Sequence, residues 1–292
     1  MDGLRPSALF IEGNYLVVFG TRYENQQPYY NTYQKSAYLY RPYIQPSRPY
    51  TFIKVYDVSN RARPYLVKNF EVEGNYFNGR KTSDGYVHLL STTRIYQRSY
   101  VMPWYNFGGR KINFSYRNIF YYPGSYRSPL FVSIFTFNLR DPLSNRRGYA
   151  CLITESAQTL YMSEKSIYIS YTDYNQGSDT SVIHKVYVRR TRIIPFADGR
   201  VNGRIHNQFS MDEYYQVLRV ATTSNSFRTS SNNVYALDYF MNEIGSLSGI
   251  AKGERIFSAR FVEKRLYLVT FRQVDPFFVI SFSSHRRPKI LG

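Results

Sequence analysis

The sequence predicts an all-β chain assembled from repeated four-stranded antiparallel units. Three observations carry that expectation. Tyr and Phe number 31 and 21 among 292 residues, and such side chains suit a pleated surface better than a helix. Runs of Ala, Leu, Glu and Lys that would favour helices are nearly absent. Short alternating apolar runs recur in pairs, each pair joined by a tight turn.

Four such pairs share one design: "ALFIEGNYLVVFGT" (8–21), "YFNGRKTSDGYVHLLST" (76–92), "LYMSEKSIYISYT" (160–172) and "IFSARFVEKRLYLVTF" (256–271). Each has a strand, a turn rich in Gly, Ser, Asp, Glu or Lys, and a second strand opening near a tyrosine. "HNQFSMDEYYQVLRVATT" (206–223) is a looser fifth copy. The landmarks Tyr15, Tyr86, Tyr168, Leu218 and Tyr267 lie 71, 82, 50 and 49 residues apart. The last two spacings match the ~40–50-residue period of propeller blades. The first two are lengthened by stretches without periodicity, residues 22–50 and 97–128; removing their 29 and 32 residues leaves 42 and 50. Both inserts fall between a second and a third strand.

Third strands are expected in "TFIKVYDVS" (51–59), "LFVSIFTFNL" (130–139), "SVIHKVYV" (181–188), "NNVYALDY" (232–239) and "FFVISFS" (277–283). The turns "VSNRARPYLV" (58–67) and "FSSHRRPKIL" (282–291) both place Ser five residues before Pro, which bars the ladder until a fourth strand begins. "GSLSGIAKGE" (245–254) has glycines like a phosphate-cradling loop. Lys252 precedes the last glycine and Glu254 follows it, so the stretch reads instead as an outgoing strand and the reversal into the next blade. The expectation is a β-propeller of about five four-stranded antiparallel blades, one domain or propeller fragment over residues 1–292, with Tyr/Arg-rich loop inserts at 22–50 and 97–128. A β-sandwich with irregular hairpins is the alternative.

"QFSMDEYYQVLRVATT", "GIAKGERIFSARF", "LVTFRQVDPFFVISFS" and "VYDVSNRARPYLVKNFEVEGNYFNGRK", taken together, resemble archaeal and bacterial secreted proteins with a C-terminal β-propeller domain, distantly related to WD-repeat proteins. The resemblance covers most of the chain outside the inserts. It implies an exported or cell-surface propeller with no assigned enzymatic activity, and it brings no catalytic residues. Two departures are visible: no leader segment opens the chain, and it stops at "RRPKILG", where family members continue into further blades. An incomplete ring is therefore expected: a fragment, a shortened paralogue, or a chain closed by a partner.

The 38 basic and 20 acidic side chains leave a formal charge of +18. Such an excess predicts affinity for polyanions, or serves solubility and surface ion pairing in a heat-adapted organism. The single cysteine, Cys151, excludes an intrachain disulfide and reads as a small core residue. No apolar run is long enough to span a bilayer.

Chemistry-bearing motifs are sparse, so neither catalysis nor a cofactor or metal is expected. His88, His184, His206 and His285 show no metal-ligand spacing and read as core or surface histidines. There is no Gly-x-Ser-x-Gly elbow. Asp173, Asn175 and Asp179 alternate like the start of a calcium loop, but no closing Glu follows and a turn explains them. Asp212 and Glu213, read as a surface turn, point to opposite faces if they lie on a strand, which argues against joint acid–base work.

The inserts carry the functional signal. Residues 22–50 hold eight tyrosines and a basic excess, and the candidate binding residues there are Tyr29, Tyr30, Tyr33, Tyr40, Arg41, Tyr43 and Arg48. Residues 97–128 hold six tyrosines, the only tryptophan and no acid. The candidates there are Trp104, Tyr105, Arg110, Lys111, Tyr116, Arg117, Tyr121, Tyr122 and Arg127. Rings of this kind stack on sugars or bases, and Arg pairs with phosphate, sulfate or carboxylate. Alternatively, the rings pack on the propeller as a cap. The expected function is a non-enzymatic cell-surface binding or assembly scaffold. Its partners would be a cell-envelope protein, an anionic glycan or another copy of itself. Nucleic-acid binding and a channel-sited hydrolase or lyase are the alternatives.

Overall fold

The computed structural model describes residues 4–23, 49–95, 102–122, 126–174, 179–226, 229–271 and 276–292. They form five sheets, antiparallel apart from one added edge strand. They divide into two compact units, Met1–Tyr121 with Ser128–Ile153, and Tyr122–Arg127 with Thr154–Gly292.

The first sheet of unit one runs β1 (Leu4–Glu12), β2 (Tyr15–Tyr23), β3 (Pro49–Asp57) and β4 (Tyr65–Glu73) in order. The second runs β5 (Asn75–Lys81), β6 (Tyr86–Arg94), then β10 (Leu130–Asn138) and β11 (Arg147–Thr154). Each insert follows a second strand and precedes a third. The second insert is more than a loop. Within it β7 (Trp104–Phe107) and β8 (Arg110–Asn113) form a hairpin that extends the first sheet from the β4 edge. Strand β9 (Ile119–Tyr121) adds in parallel to β11 of the second sheet. Strands this short and without a long partner across a turn show too few alternations to reveal a period in the sequence.

Unit two holds three sheets. One runs β12 (Thr159–Met162), β13 (Ser166–Asp173), β14 (Thr180–Arg189) and β15 (Arg192–Asn202). The next is the loose copy: β16 (Arg204–Ile205) and β17 (Met211–Tyr214) share the edge of β18 (Val217–Ser226), followed by β19 (Thr229–Leu237) and β20 (Glu243–Ile250). The last runs β21 (Arg255–Val262), β22 (Arg265–Phe271), β23 (Phe277–Ser281) and β24 (Lys289–Ile290). Asp212 and Glu213 thus lie on strand β17, half-buried, and not in a surface turn.

Stacking explains the burial patterns. In β18, Leu218 and Val220 pack with Tyr168 and Ile183 of one neighbouring sheet, while Ala221 packs with Leu266 and Leu268 of the other. Both faces are covered, so Leu218 through Thr222 is buried without alternation. In unit one, Val17, Phe19, Ile53 and Val55 of the first sheet join Val87, Leu89, Phe135 and Phe137 of the second.

Buried cations tie neighbouring sheets together. Arg219, 1% exposed, pairs with Asp212 and donates to the carbonyl of Glu263 in the β21–β22 turn. Lys185, equally buried, donates to the Tyr239 carbonyl at 2.9 Å with the Tyr239 ring centre 4.1 Å away. Nearer the surface, Glu12 accepts from Lys81 of β5 and from the exposed Arg140 just past β10, and these bonds hold its carboxyl below the usual range.

The two Ser-to-Pro turns match in detail. Arg63 N–H donates to the Asn60 carbonyl at 3.0 Å, and Arg287 N–H to the Ser284 carbonyl at 3.2 Å, at equivalent positions. "GSLSGIAKGE" leaves β20 and reverses into β21 with Gly253 at φ +87°. Its first glycine answers a different need: a Cβ on Gly245 would lie 2.3 Å from the carbonyl oxygen of His285 in the next sheet.

Candidate functional site

The second insert is built outward from two buried rings. Tyr105 and Phe114 are each 2% exposed, pack 5.7 Å apart, and both lie 5.0 Å from Tyr149. They anchor the β7–β8 hairpin, whose turn is Gly108 at φ +58° and Gly109 at φ +82°. Two successive positive φ values are what a two-residue hairpin with the native twist requires. Tyr105, expected to meet a ligand, is instead core. Its hydroxyl accepts from Arg147 at 3.4 Å.

Other rings remain outside. Trp104 is half-buried, its ring 6.1 Å from that of Tyr50 and covered by Lys111 Nζ at 4.4 Å. Arg110 and Lys111 are exposed on β8. Ser115 Oγ then accepts from Arg117 N–H and caps a 3-10 turn, Tyr116–Asn118. Asn118 donates to the Tyr149 carbonyl at 3.0 Å, fixing that turn to the second sheet. This holds Tyr116 73% exposed, with Arg117 beside its ring at 5.9 Å, and delivers Tyr121 70% exposed on β9. Exposed aromatics also occur elsewhere, Tyr215 at 81% and Phe257 at 67% among them, so what distinguishes Tyr116 and Tyr121 is the basic, acid-free insert that carries them.

The end of the insert, from Tyr122, belongs to unit two. Tyr122 stacks on His184 at 4.3 Å and donates to the carbonyls of Lys185 and Ala197. Its hydroxyl is thereby committed to backbone, and burial raises its pKa. Arg127 is exposed, and its N–H donates to Glu155 at 2.7 Å. The candidates of the first insert, Tyr29, Tyr30, Tyr33, Tyr40, Arg41, Tyr43 and Arg48, lie outside the described residues.

The remaining chemistry is structural. His88 contacts Thr136 and His184 contacts Thr154 at 3.2 Å; burial pushes both imidazoles down to about 4. Glu213 accepts from Ser163 and Tyr168 while Asp212 holds Arg219, so the adjacent carboxylates serve different neighbours. Asp173 faces Arg200 at 3.7 Å and Asp179 accepts from Asn225 at 3.0 Å; Asn175 lies outside the described residues. Cys151 is fully buried, and burial raises its thiol pKa. Among the described residues no three His, Cys, Asp or Glu side chains gather as a metal-binding group, and no helix is long and apolar enough to cross a membrane.

Five sheets of this order and pairing agree with a family model described as the beta propeller domain, which matches residues 1–292. The chain belongs to the beta propeller domain family. Its five sheets are accordingly blades, and the second insert decorates the first two. Over 97 residues the chain is 44% identical to an uncharacterized protein, MJ1554, of Methanocaldococcus jannaschii, covering 32% of this chain and 16% of that one. Over 126 residues it is 39% identical to an uncharacterized protein of Archaeoglobus fulgidus, covering 41% of this chain and 20% of that one. The matched segments thus span a fifth or less of these relatives. The solved structure of the isopeptidase AtxE2 in its apo form aligns over 94% of this chain and 49% of its own. At 10% identity and a TM-score of 0.25 that likeness carries no argument about activity.

Nothing in the sequence marks Lys68, Arg147, Lys185 or Arg219. Each is one cation in a strand pattern, which reads as solvated edge until its neighbours in space are known.

Proposed function

We propose that this propeller is a non-enzymatic binding scaffold of the cell surface, and that residues 104–121 hold an anionic glycan. The observation that carries the reading is the outward pair Tyr116 and Tyr121, at 73% and 70% exposure, in the same insert as the Trp104–Lys111 pair. Arg110, Lys111 and Arg117 supply charge in an insert that contains no acid. Ring faces take the C–H face of a sugar, while the cations take its carboxylate or sulfate. The backbone carrying them is pinned by Tyr105, Phe114 and Asn118, so little ordering is required on binding. Placement at the cell surface follows the resemblance of the repeat motifs to exported proteins.

The test is binding of an acidic polysaccharide over a salt series, comparing the native chain with Tyr116→Ala/Tyr121→Ala and with Arg110→Ala/Lys111→Ala/Arg117→Ala. Each variant should bind at least ~10-fold more weakly, which corresponds to about 1.4 kcal/mol, with an unchanged melting temperature. The charge variant should also show a shallower salt dependence. Equal binding by all three proteins contradicts the reading. Tighter, steeply salt-dependent binding of single-stranded DNA moves the assignment to nucleic acid.

A further inference from the structure

A recess of about 340 Å³ opens in unit one beside the β7–β8 turn. Its wall includes Lys68 and Asn69 of β4, Asn106 and Phe107 of β7, and Leu143 and Asn145 from the β10–β11 connection. That volume sits at the low end of small-ligand sites, where pockets measure ~300–1,000 Å³.

Two cations converge there on a single ring. Lys68 Nζ lies 5.0 Å and the Arg147 guanidinium carbon 4.1 Å from the centre of Phe107. Neighbouring carbonyls hold both in place. Lys68 donates to Ser144 O at 2.8 Å, and Arg147 donates to Asn145 O at 3.0 Å. Neither forms an ion pair with a described carboxylate; Asp141 acts on Lys68 only at longer range. Arg147 Nε is buried and has no hydrogen-bond partner among the described residues. Burial and the nearby Arg147 charge both lower the Lys68 pKa, opposed in part by Asp141. A desolvated Lys68 and an Arg147 with a buried, unpartnered Nε, neither in an ion pair with a described carboxylate, depart from the usual rule for partly buried cations, and such departures concentrate where a ligand completes the site.

We propose that this recess binds one carboxylate-bearing sugar unit of an acidic glycan, with the carboxylate on Lys68 and a hydroxyl on Asn145. The inference rests on the anionic-glycan reading above and adds a discrete subsite to it. The carboxylate supplies the missing counter-charge. Carboxamides offer both donors and acceptors, as sugar hydroxyls require, and Val67 and Leu143 supply apolar wall for the C–H face. A bare inorganic anion would use the cations and leave the carboxamide idle.

The probe is a trigalacturonate, titrated calorimetrically into the native chain, with neutral trigalactose, inorganic phosphate and inorganic sulfate as comparators. Trigalacturonate should bind saturably, with each comparator at least tenfold weaker. Lys68→Met should lose at least tenfold in affinity, while its melting temperature without ligand stays equal or rises, because a desolvated charge has been removed. A second variant, Asn145→Ala, checks the hydroxyl contact and should lose severalfold. Tyr116→Ala/Tyr121→Ala should weaken the long polymer yet bind the trisaccharide normally, which separates this inference from the broader reading. Unchanged affinity in Lys68→Met overturns the subsite, as does phosphate or sulfate binding as well as trigalacturonate. So does absence of trisaccharide binding while the polymer still binds.

Discussion

Arg219 illustrates how a single side chain joins two blades. Its guanidinium is 1% exposed, paired with Asp212 of its own blade, and donates to the Glu263 carbonyl of the next. The rings of Tyr214, Phe261 and Phe282 lie 4.7, 5.0 and 5.5 Å from its central carbon. Replacing it with Met keeps the stem but strands Asp212 and a carbonyl, and should cost roughly 3 kcal/mol in denaturant unfolding. Gly245 sits at a closer approach still. Gly245→Ala must push the His285–Arg286 backbone away, and a loss on the order of 1–3 kcal/mol is expected from the same measurement. His88 and His184 give a pH dependence whose sign follows from burial. Their folded pKa values near 4 lie below the ordinary 6.5, so between those values the unfolded chain takes up protons that the folded chain refuses. Stability is therefore full above pH 6.5 and falls as acid is added toward pH 4. Each histidine contributes up to about 1.4 kcal/mol per pH unit in that window. A melting temperature that stays flat from pH 7 to 4.5, or rises, contradicts this account of both histidines.

At the scale of elements, the β7–β8 hairpin matters most, because it sets Trp104, Arg110 and Lys111 on the β4 edge. Its turn needs φ near +58° and +82° at Gly108 and Gly109, although added Cβ atoms would meet nothing there. Gly109→Val should therefore act through backbone strain alone, costing about 1–2 kcal/mol locally. Faster amide exchange in residues 104–113 and weaker polysaccharide binding would register it, with the other blades unaffected. The blade hairpins and the third strands were legible in the sequence, because most of their strands carry several alternations, and the short ones, β12 and β17, are joined by a tight turn to the long strands β13 and β18. The hairpin and β9 were not, since strands of three or four residues carry almost no period and here no long strand adjoins them across a turn. The candidate site was legible only as a region. Composition marked residues 97–128, but Tyr105 and Tyr121 look alike in sequence; one is 2% exposed and the other 70%. Packing against Phe114 and Tyr149, fixed only in three dimensions, separates core from surface.

The formal charge of +18 sets opposing salt responses for the whole molecule. Like charges repel one another in the folded chain, so raising salt from ~10 to ~150 mM screens that repulsion and should raise the melting temperature without ligand. The same screening should weaken an acidic polysaccharide. Saturating polymer at about 100 times its dissociation constant should stabilise the fold by ~2.7 kcal/mol at low salt and less at high salt. The central claim, that the exposed rings and cations of residues 104–121 are where an anionic glycan binds, has a built-in reporter. Trp104 is the only tryptophan in the chain and lies under Lys111 in the same insert. The most direct measurement is therefore a titration with polygalacturonate that follows tryptophan fluorescence and binding heat together. A saturable, salt-reversible fluorescence change with the same midpoint as the heat is the predicted result. Heat of binding with no change at Trp104 would contradict the account and place the polymer elsewhere on the chain.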